Sequence, residues 1–310
     1  MNILSLFDGI SIGQLALKEL NFKIDKYYAS EIDKFAIGVT KYHFPNTIFI
    51  GDIREVDGNK FKNINLLIGG SSCQNFSFAG KQQGMITKEK IEIVSLEQYL
   101  ELKEKGFEFE GQSYLFWEYV RILKEVKPKY FLLENVKMAK KWKNIISKEL
   151  EIEPILIDSK LVSAQRRPRL YWTNIPIKDL PEDKNIKLKE VLLNKKCDRE
   201  LLPFMYNKYG NKSRLEKNMF SFLNSDKSAC LTTGTHHHNK YLIDIKNKKF
   251  RMLDIIECER LQTLPDNYTK FGIIEDKTII IPNRERHKLI GNAWTLEVIK
   301  HIFKFLPKEG

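Results

Sequence analysis

A cysteine at the mouth of an apolar run is the first residue in this chain whose setting invites chemistry. "NLLIGG" reads as a buried strand that empties into "SSCQNFSFAG", which surrounds Cys73 with serine, glutamine and asparagine. That is poor company for a buried thiol, and a loop leading towards a helix N-terminus favours the reactive thiolate. Glu134 closes another apolar run, "YFLLENV", where burial should raise its proton affinity. Such a carboxyl can donate to or accept from a base edge, or serve only as a structural partner for a lysine. "QRRPRLYW" places Arg167 and Arg169 at alternate positions leading into a strand, so both should point to one face. Two guanidiniums there suit an anion or a carbonyl, a phosphate contact alone, or a surface ion pair.

A second group suits a nucleoside. The turn "FDGISIG", Phe7 to Gly13, follows a strand and precedes a helix, with Asp8 beside the glycines Gly9 and Gly13. It is not GxGxxG, which argues against a dinucleotide pyrophosphate. Glu31 ends the second strand, where a carboxylate can take both ribose hydroxyls. Asp52, in "GDI", ends the third and can accept from an adenine amino group. Together these strand ends favour S-adenosylmethionine over NAD or ATP.

The elements that must position these residues alternate from the start. Strands are expected at Asn2–Phe7, Lys26–Ser30, near "TIFIGD", at "NLLIGG" and at Tyr130–Val136, with "PILIDSKLV" and "RLYWTNI" as two more. Helices are expected at "IGQLALKEL", "DKFAIGVTKYHF", Ser113–Val126 and "AKKWKNIISKEL". The pattern predicts an α/β fold with a mainly parallel, doubly wound sheet and functional loops at the strands' C-terminal ends. Three parts follow: residues 1–177 as the sheet domain, 178–250 as a smaller loop-rich module, and 251–310, helical again, completing the first. Residues 87–111, rich in Glu and Lys, read as an insertion bearing a solvated helix.

Composition narrows the partners. The net charge is +12, from 52 Lys and Arg against 40 Asp and Glu. A polyanion such as DNA or RNA fits that surface, as does a lysine-rich coding bias. The four cysteines, Cys73, Cys197, Cys230 and Cys258, form no CxxC pair, which argues against a zinc site or disulfide framework. "MNILSLF" is too short for a signal peptide and no apolar run is long enough to span a bilayer, so a cytoplasmic protein is expected. Three consecutive histidines, His236–His238, do not converge on a metal as i, i+4 spacing would, and no metal is expected.

The chain resembles the DNA (cytosine-5)-methyltransferases. "LFDGIS", "ASEID" and "GQSYLFWEYVRILKEVKP" look closest to the de novo type of animals and its phage and bacterial relatives. "GGSSCQNFS" is similar to the family's Pro-Cys-Gln loop, "LLENV" to its Glu-Asn-Val motif and "QRRPR" to its Gln-x-Arg-x-Arg motif. "ECERLQTLPDNY" and "LIGNAW" resemble its last two motifs. The resemblance implies a Rossmann-like, S-adenosylmethionine-dependent fold, with S-adenosylhomocysteine as product and double-stranded DNA as partner. It implies Cys73 as nucleophile, Glu134 on the base, and Arg169 with Arg167 on its O2. Cofactor contacts carry onto Phe7, Asp8, Gly9, Gly13, Glu31, Ile32, Asp52, Ile53, Asn292, Ala293 and Trp294. DNA contacts carry onto Ser72, Gln74, Asn75 and Gln165, and onto Thr232, Thr233, Gly234, Thr235, His236 and Lys240 in the 178–250 module, the expected target-recognition domain. A monomer is expected, and a separately encoded restriction endonuclease is a partner such an enzyme can have. One departure stands out: Ser72 occupies the place of the family's proline, which loosens the backbone ahead of the thiol. A non-catalytic DNA-binding paralogue and a tRNA methyltransferase of the same family are the other readings.

Overall fold

The computed structural model describes residues 1–71, 85–206, 208–209, 212–213, 220–233 and 240–308. The alternating patterns become β1 (Asn2–Leu6), α1 (Ile12–Glu19), β2 (Lys26–Ser30), α2 (Lys34–His43), β3 (Ile48–Phe49) and β4 (Leu66–Gly70). Then come α3 (Leu96–Glu104), α4 (Leu115–Val126), β5 (Tyr130–Val136), α5 (Lys140–Leu150), β6 (Ile155–Asp158) and β7 (Pro168–Thr173). These strands form one seven-stranded sheet, ordered β3-β2-β1-β4-β5-β7-β6. It is mainly parallel, as expected; only β7 runs against its neighbours, β5 and β6.

The central strands are apolar throughout because both faces of the sheet are covered. Ile3, Leu66, Ile68 and Leu132 join one core with residues of α1, α2 and the C-terminal helix. Their neighbours Leu4, Leu67 and Leu133 turn to the other side, among Phe116, Val120 and Ile146 from α4 and α5. That alternation is the period-two geometry of a strand. Local signals set the helix ends. Asp33 caps α2 by accepting from the Phe35 and Ala36 amides. Lys127, at φ 49°, closes α4 just before Pro128.

The insertion after residue 84 departs from expectation. Helix α3 is not a solvated helix: Leu96, Tyr99 and Leu102 are buried, in the same core as Trp117 of α4. The reason is an apolar stripe at positions 96, 99 and 102, which the surrounding charge obscures.

The next part of the chain is built from short elements: α6 (Leu188–Val191), β8 (Arg199–Glu200), α7 (Pro203–Tyr206), β9 (Lys208–Tyr209), β10 (Lys212–Ser213), β11 (Ser221–Phe222), β12 (Tyr241–Asp244) and β13 (Lys249–Met252). Four of them make a second sheet, ordered β11-β12-β13-β8. A small core of Met205, Phe220, Ile243 and Phe250 supports it. The C-terminal part holds α8 (Ile255–Leu261), a hairpin of β14 (Phe271–Ile274) and β15 (Lys277–Ile280), α9 (Asn283–Asn292) and α10 (Leu296–Phe303). Helix α10 returns to pack on α1, sharing its core through Leu296, Val298, Ile299 and Ile302. No helix among the described residues is long and apolar enough to cross a membrane.

Candidate active site

The C-terminal ends of β1, β2 and β3 turn towards one region, and the backbone there is unusual. Phe7 (φ 57°), Gly9 (φ 60°) and Ser11 (φ 55°) are all left-handed. A phenylalanine in that conformation is strained, and such strain persists only where the surroundings impose it. The turn is held from below by Asp8, whose carboxylate accepts from the Ser11 hydroxyl and from Tyr27 Oη at 2.8 Å. Asp8 is therefore a brace of the turn. Gly13 packs closely on β4: a Cβ there would lie 2.3 Å from Ile68 Cδ1, so that side-chain end would have to move.

Burial pushes the Asp8 carboxyl up to about 6, against the hydrogen bonds from Ser11, Ser5 and Tyr27. The native state then keeps a proton that the unfolded state loses near 3.8. Stability should fall as pH rises from about 4 to about 6 and level off above. Asp8→Asn is expected to flatten that slope, read as the difference between the two proteins' urea midpoints at pH 4.5 and pH 7. Parallel curves would refute it.

Glu31 lies over the turn. Its Oε2 accepts from Gly9 N at 2.8 Å, and its Oε1 from Ile32 N and Asp33 N at 2.7 and 2.8 Å. A carboxylate has about four acceptor positions, three of them used here, so it is fixed in place and keeps one, on Oε2, for a hydroxyl. Ile32 beside it is 66% exposed, an apolar face at a strand end. Asp52 caps the short turn Ile53–Glu55 through Arg54 N and pairs with the Arg54 guanidinium, which holds its carboxyl below the usual range. The Ile53 side chain is in the core, which leaves only its backbone to face a ligand. Carboxylates and an apolar face suit a cationic nucleoside without phosphates, as S-adenosylmethionine is.

The second half of the site forms at the ends of β4 and β5. Glu134 is paired with Arg169, Nε to Oε1 at 2.9 Å, across the antiparallel β5–β7 pair. Trp294 Nε1 donates to the other carboxylate oxygen, Glu134 Oε2, at 3.1 Å. The same tryptophan ring borders Gly13, so one side chain links the first turn to Glu134. Asn135 Nδ2 donates to Ser71 O at 3.2 Å and Ser71 Oγ at 3.0 Å, both buried. That fixes the chain two residues before Cys73, alongside Glu134. Cys73 itself, with Ser72, Gln74 and Asn75, lies outside the described residues.

Arg167 and Arg169 both reach the Cys230 sulfur, at 3.4 and 3.9 Å, but their other partners differ. Arg167 is buried and donates to Leu231 O (2.8 Å), Gly291 O (3.0 Å) and Ala293 O (3.0 Å). It clamps the C-terminal segment to the 230–231 segment. Gln165 is likewise a brace: fully buried, it bonds Leu231 N, Leu261 O and Gln262 Oε1. Lys240 is 1% exposed, and its Nζ has no partner among the described residues, so this arrangement does not offer it to a phosphate. Thr232 and Thr233 are at least partly exposed, as is Asn292, while Ala293 is buried. Gly234, Thr235 and His236 lie outside the described residues. Among the described residues, no cluster of three or more His, Cys, Asp or Glu could hold a metal.

Two residues of the site carried no sequence expectation. Asn135 was hidden inside its motif, although an amide beside a strand-end glutamate is a signal worth reading. Cys230 has its Sγ 3.4 Å from Arg167 and 3.9 Å from Arg169. Burial pushes its thiol up, but the two guanidiniums outweigh that and hold it below the usual value. Gly291 marks another contact: a Cβ there would lie 2.5 Å from Thr232 C and O. Because that neighbour is backbone, Gly291→Ala should displace the Thr232 segment. A stability loss of about 1–3 kcal/mol in urea unfolding is expected, together with a fall in turnover; an unchanged midpoint would refute the contact.

Sheet order and strand-end chemistry together define a Rossmann-like, S-adenosylmethionine-dependent methyltransferase fold. The family model for C-5 cytosine-specific DNA methylase matches residues 1–176 and 159–308, and the chain belongs to that family. Type II methyltransferase M1.ScrFI of Lactococcus lactis subsp. cremoris is 27% identical, over 97% of this chain and 76% of that protein. Orphan methyltransferase M.SPRI of Bacillus phage SPR is 30% identical, over 56% of this chain and 38% of that protein. Among solved structures, S. pombe Dnmt2 methyltransferase superposes with a TM-score of 0.69 at 17% identity, covering 99% of this chain and 98% of that one. A mutant form of Spodoptera frugiperda DNMT2 gives 0.66 at 19%, covering 98% and 99%. The phage and bacterial side of the resemblance holds.

Proposed function

We propose that the protein methylates C5 of a cytosine flipped out of duplex DNA, within a short sequence. The observation that carries this is the geometry at β4 and β5: Glu134 held by Arg169 and Trp294, with Asn135 fixing Ser71 just ahead of Cys73. The target base must leave the stack, because its C5 and C6 are shielded within it. In this reading Cys73 thiolate adds to C6, which makes C5 nucleophilic. Glu134 holds N3 and the exocyclic amine and stabilises the charge that develops. Arg169 fixes Glu134 and faces O2. S-adenosylmethionine, when bound, supplies an electrophilic methyl. Glu31 would take a ribose hydroxyl, Phe7 and Ile32 the purine face, the Ile53 backbone its edge, and Asp52 the amino group. After transfer the C5 proton leaves and the thiol is eliminated. Residues 178–250 are assigned to target recognition, with Thr232 and Thr233 among the expected DNA contacts; Gln165 and Arg167 are assigned to holding the parts together.

The test is transfer of labelled methyl into mixed-sequence duplex DNA and into tRNA, followed by bisulfite sequencing of the DNA. Protected cytosines in one short context support the reading. Label in tRNA alone would move the substrate to RNA, and label in neither, from protein that binds duplex DNA, would make it a non-catalytic binder.

A further inference from the structure

The buried Glu118 of α4 is the centre of a network that the chemistry above does not use. It is fully buried and accepts from Tyr99 Oη and Lys103 Nζ, each at 2.5 Å, and from Arg121 Nε at 2.8 Å. Tyr99 and Lys103 belong to α3, inside the Glu- and Lys-rich insertion. Arg121 lies one turn along α4 from Glu118. Its Nη1 pairs with both oxygens of Glu125 at 2.9 Å, and its Nη2 donates to Val56 O at 2.8 Å and Ile53 O at 3.4 Å. Glu125 Oε2 in turn accepts from Gly58 N at 2.7 Å. The segment from Ile53 to Gly58 is thus tied to α4 at three backbone atoms. That segment follows Asp52 directly.

A buried carboxylate with one guanidinium partner would satisfy its charge; this one has two further donors, both from the insertion. Such a hub is expensive to assemble and fixes the groups it holds. The insertion is anchored at its own ends as well. Ile93 N donates to Met85 O at 2.9 Å, and Glu110 N to Ile86 O at 2.9 Å. Met85, Ile93 and Tyr99 are all buried in the core that contains Trp117.

Resting on the proposed cofactor site, we propose that the insertion is a positioning module for it. Tyr99 and Lys103 fix Glu118, Glu118 fixes Arg121, and Arg121 sets the height of the turn that carries Asp52 and Ile53. Arg121 is a positioning residue, acting on the turn through Val56 O and Ile53 O.

The test is binding of S-adenosylhomocysteine to the full chain by calorimetry, with KM for S-adenosylmethionine and kcat measured in parallel. Arg121→Met is expected to weaken binding about tenfold and to raise KM similarly, as the loss of charge-assisted hydrogen bonds to the turn requires. Its kcat should stay within about twofold, since Glu134, Arg169 and Cys73 are untouched. Arg121→Lys should recover part of the affinity. Tyr99→Phe with Lys103→Met, which keeps the packing of α3, should weaken binding by a smaller factor in the same direction. Arg251→Met, which breaks a comparable buried pair with Glu257 in the second sheet, is the control for lost stability alone; its affinity should equal wild type. Unchanged affinity in folded Arg121→Met and in the double variant, or an equal loss in Arg251→Met, would overturn the proposal. Failure of the wild type to bind would instead overturn the cofactor site on which it rests.

Discussion

Cys73→Ala is expected to abolish methyl transfer, lowering single-turnover rates by at least about 10⁴-fold. Cytosine C5 is a poor nucleophile until a group adds at C6, so no other part of the site can substitute for that bond. Affinity for S-adenosylhomocysteine should stay within about twofold, because most of the proposed cofactor contacts follow the ends of β1, β2 and β3 rather than β4. Cys73→Ser should not restore activity, since a hydroxyl is scarcely ionised at neutral pH. The structural reason for choosing this thiol is its anchoring: the Asn135 amide holds Ser71 two residues upstream, and Glu134 lies beside that contact. Cys230 is the competing candidate, since Arg167 and Arg169 lie 3.4 and 3.9 Å from its sulfur. If Cys73→Ala retained transfer while Cys230→Ala lost it, the nucleophile would have to be reassigned.

The main sheet was legible because its strands are covered on both faces. "KYYAS" and "YFLLENV" coincide with β2 and β5 residue for residue. The direction of β7 was not legible, since an apolar run has the same pattern read either way. The β14–β15 hairpin was missed altogether. Its turn, Glu275 and Asp276 at φ 49° and 58°, has the two left-handed residues of a tight hairpin without the asparagine or glycine that usually announces one. The C-terminal part was expected to be helical again; its last two helices are separated between Asn292 and Leu296, where Trp294 reaches Glu134. The placement of Glu31, Asp52 and Glu134 at strand ends was legible from strand position, but the pairing of Glu134 with Arg169 across β5 and β7 was not. Gln165 and Lys240 were expected to contact DNA, yet both are buried. Gln165 is buried by partners some 66 to 97 positions away, and no local pattern encodes contacts of that range.

Arg167 and Arg169, two positions apart, should give opposite phenotypes. Arg169→Met removes the partner of Glu134 Oε1 and the cation facing the base, so turnover should fall about 10²–10³-fold. Its effect on folding should be small, since Trp294 still donates to Glu134. Arg167→Met leaves the carbonyls of Leu231, Gly291 and Ala293 without this donor in a buried setting. Each such group costs about 1–3 kcal/mol, offset in part by relaxation, so a loss of about 3 kcal/mol or more in urea unfolding is expected. Gln262 Nε2 also donates to Ala293 O, which should keep that end of the clamp from failing completely. The fraction of Arg167→Met that stays folded should therefore turn over at a rate much nearer wild type than Arg169→Met does. The two measurements, unfolding and single-turnover transfer on the same preparations, separate the roles. A drop in turnover of equal size in both variants, with equal stability, would mean that Arg167 acts on the base after all and that the clamp is secondary.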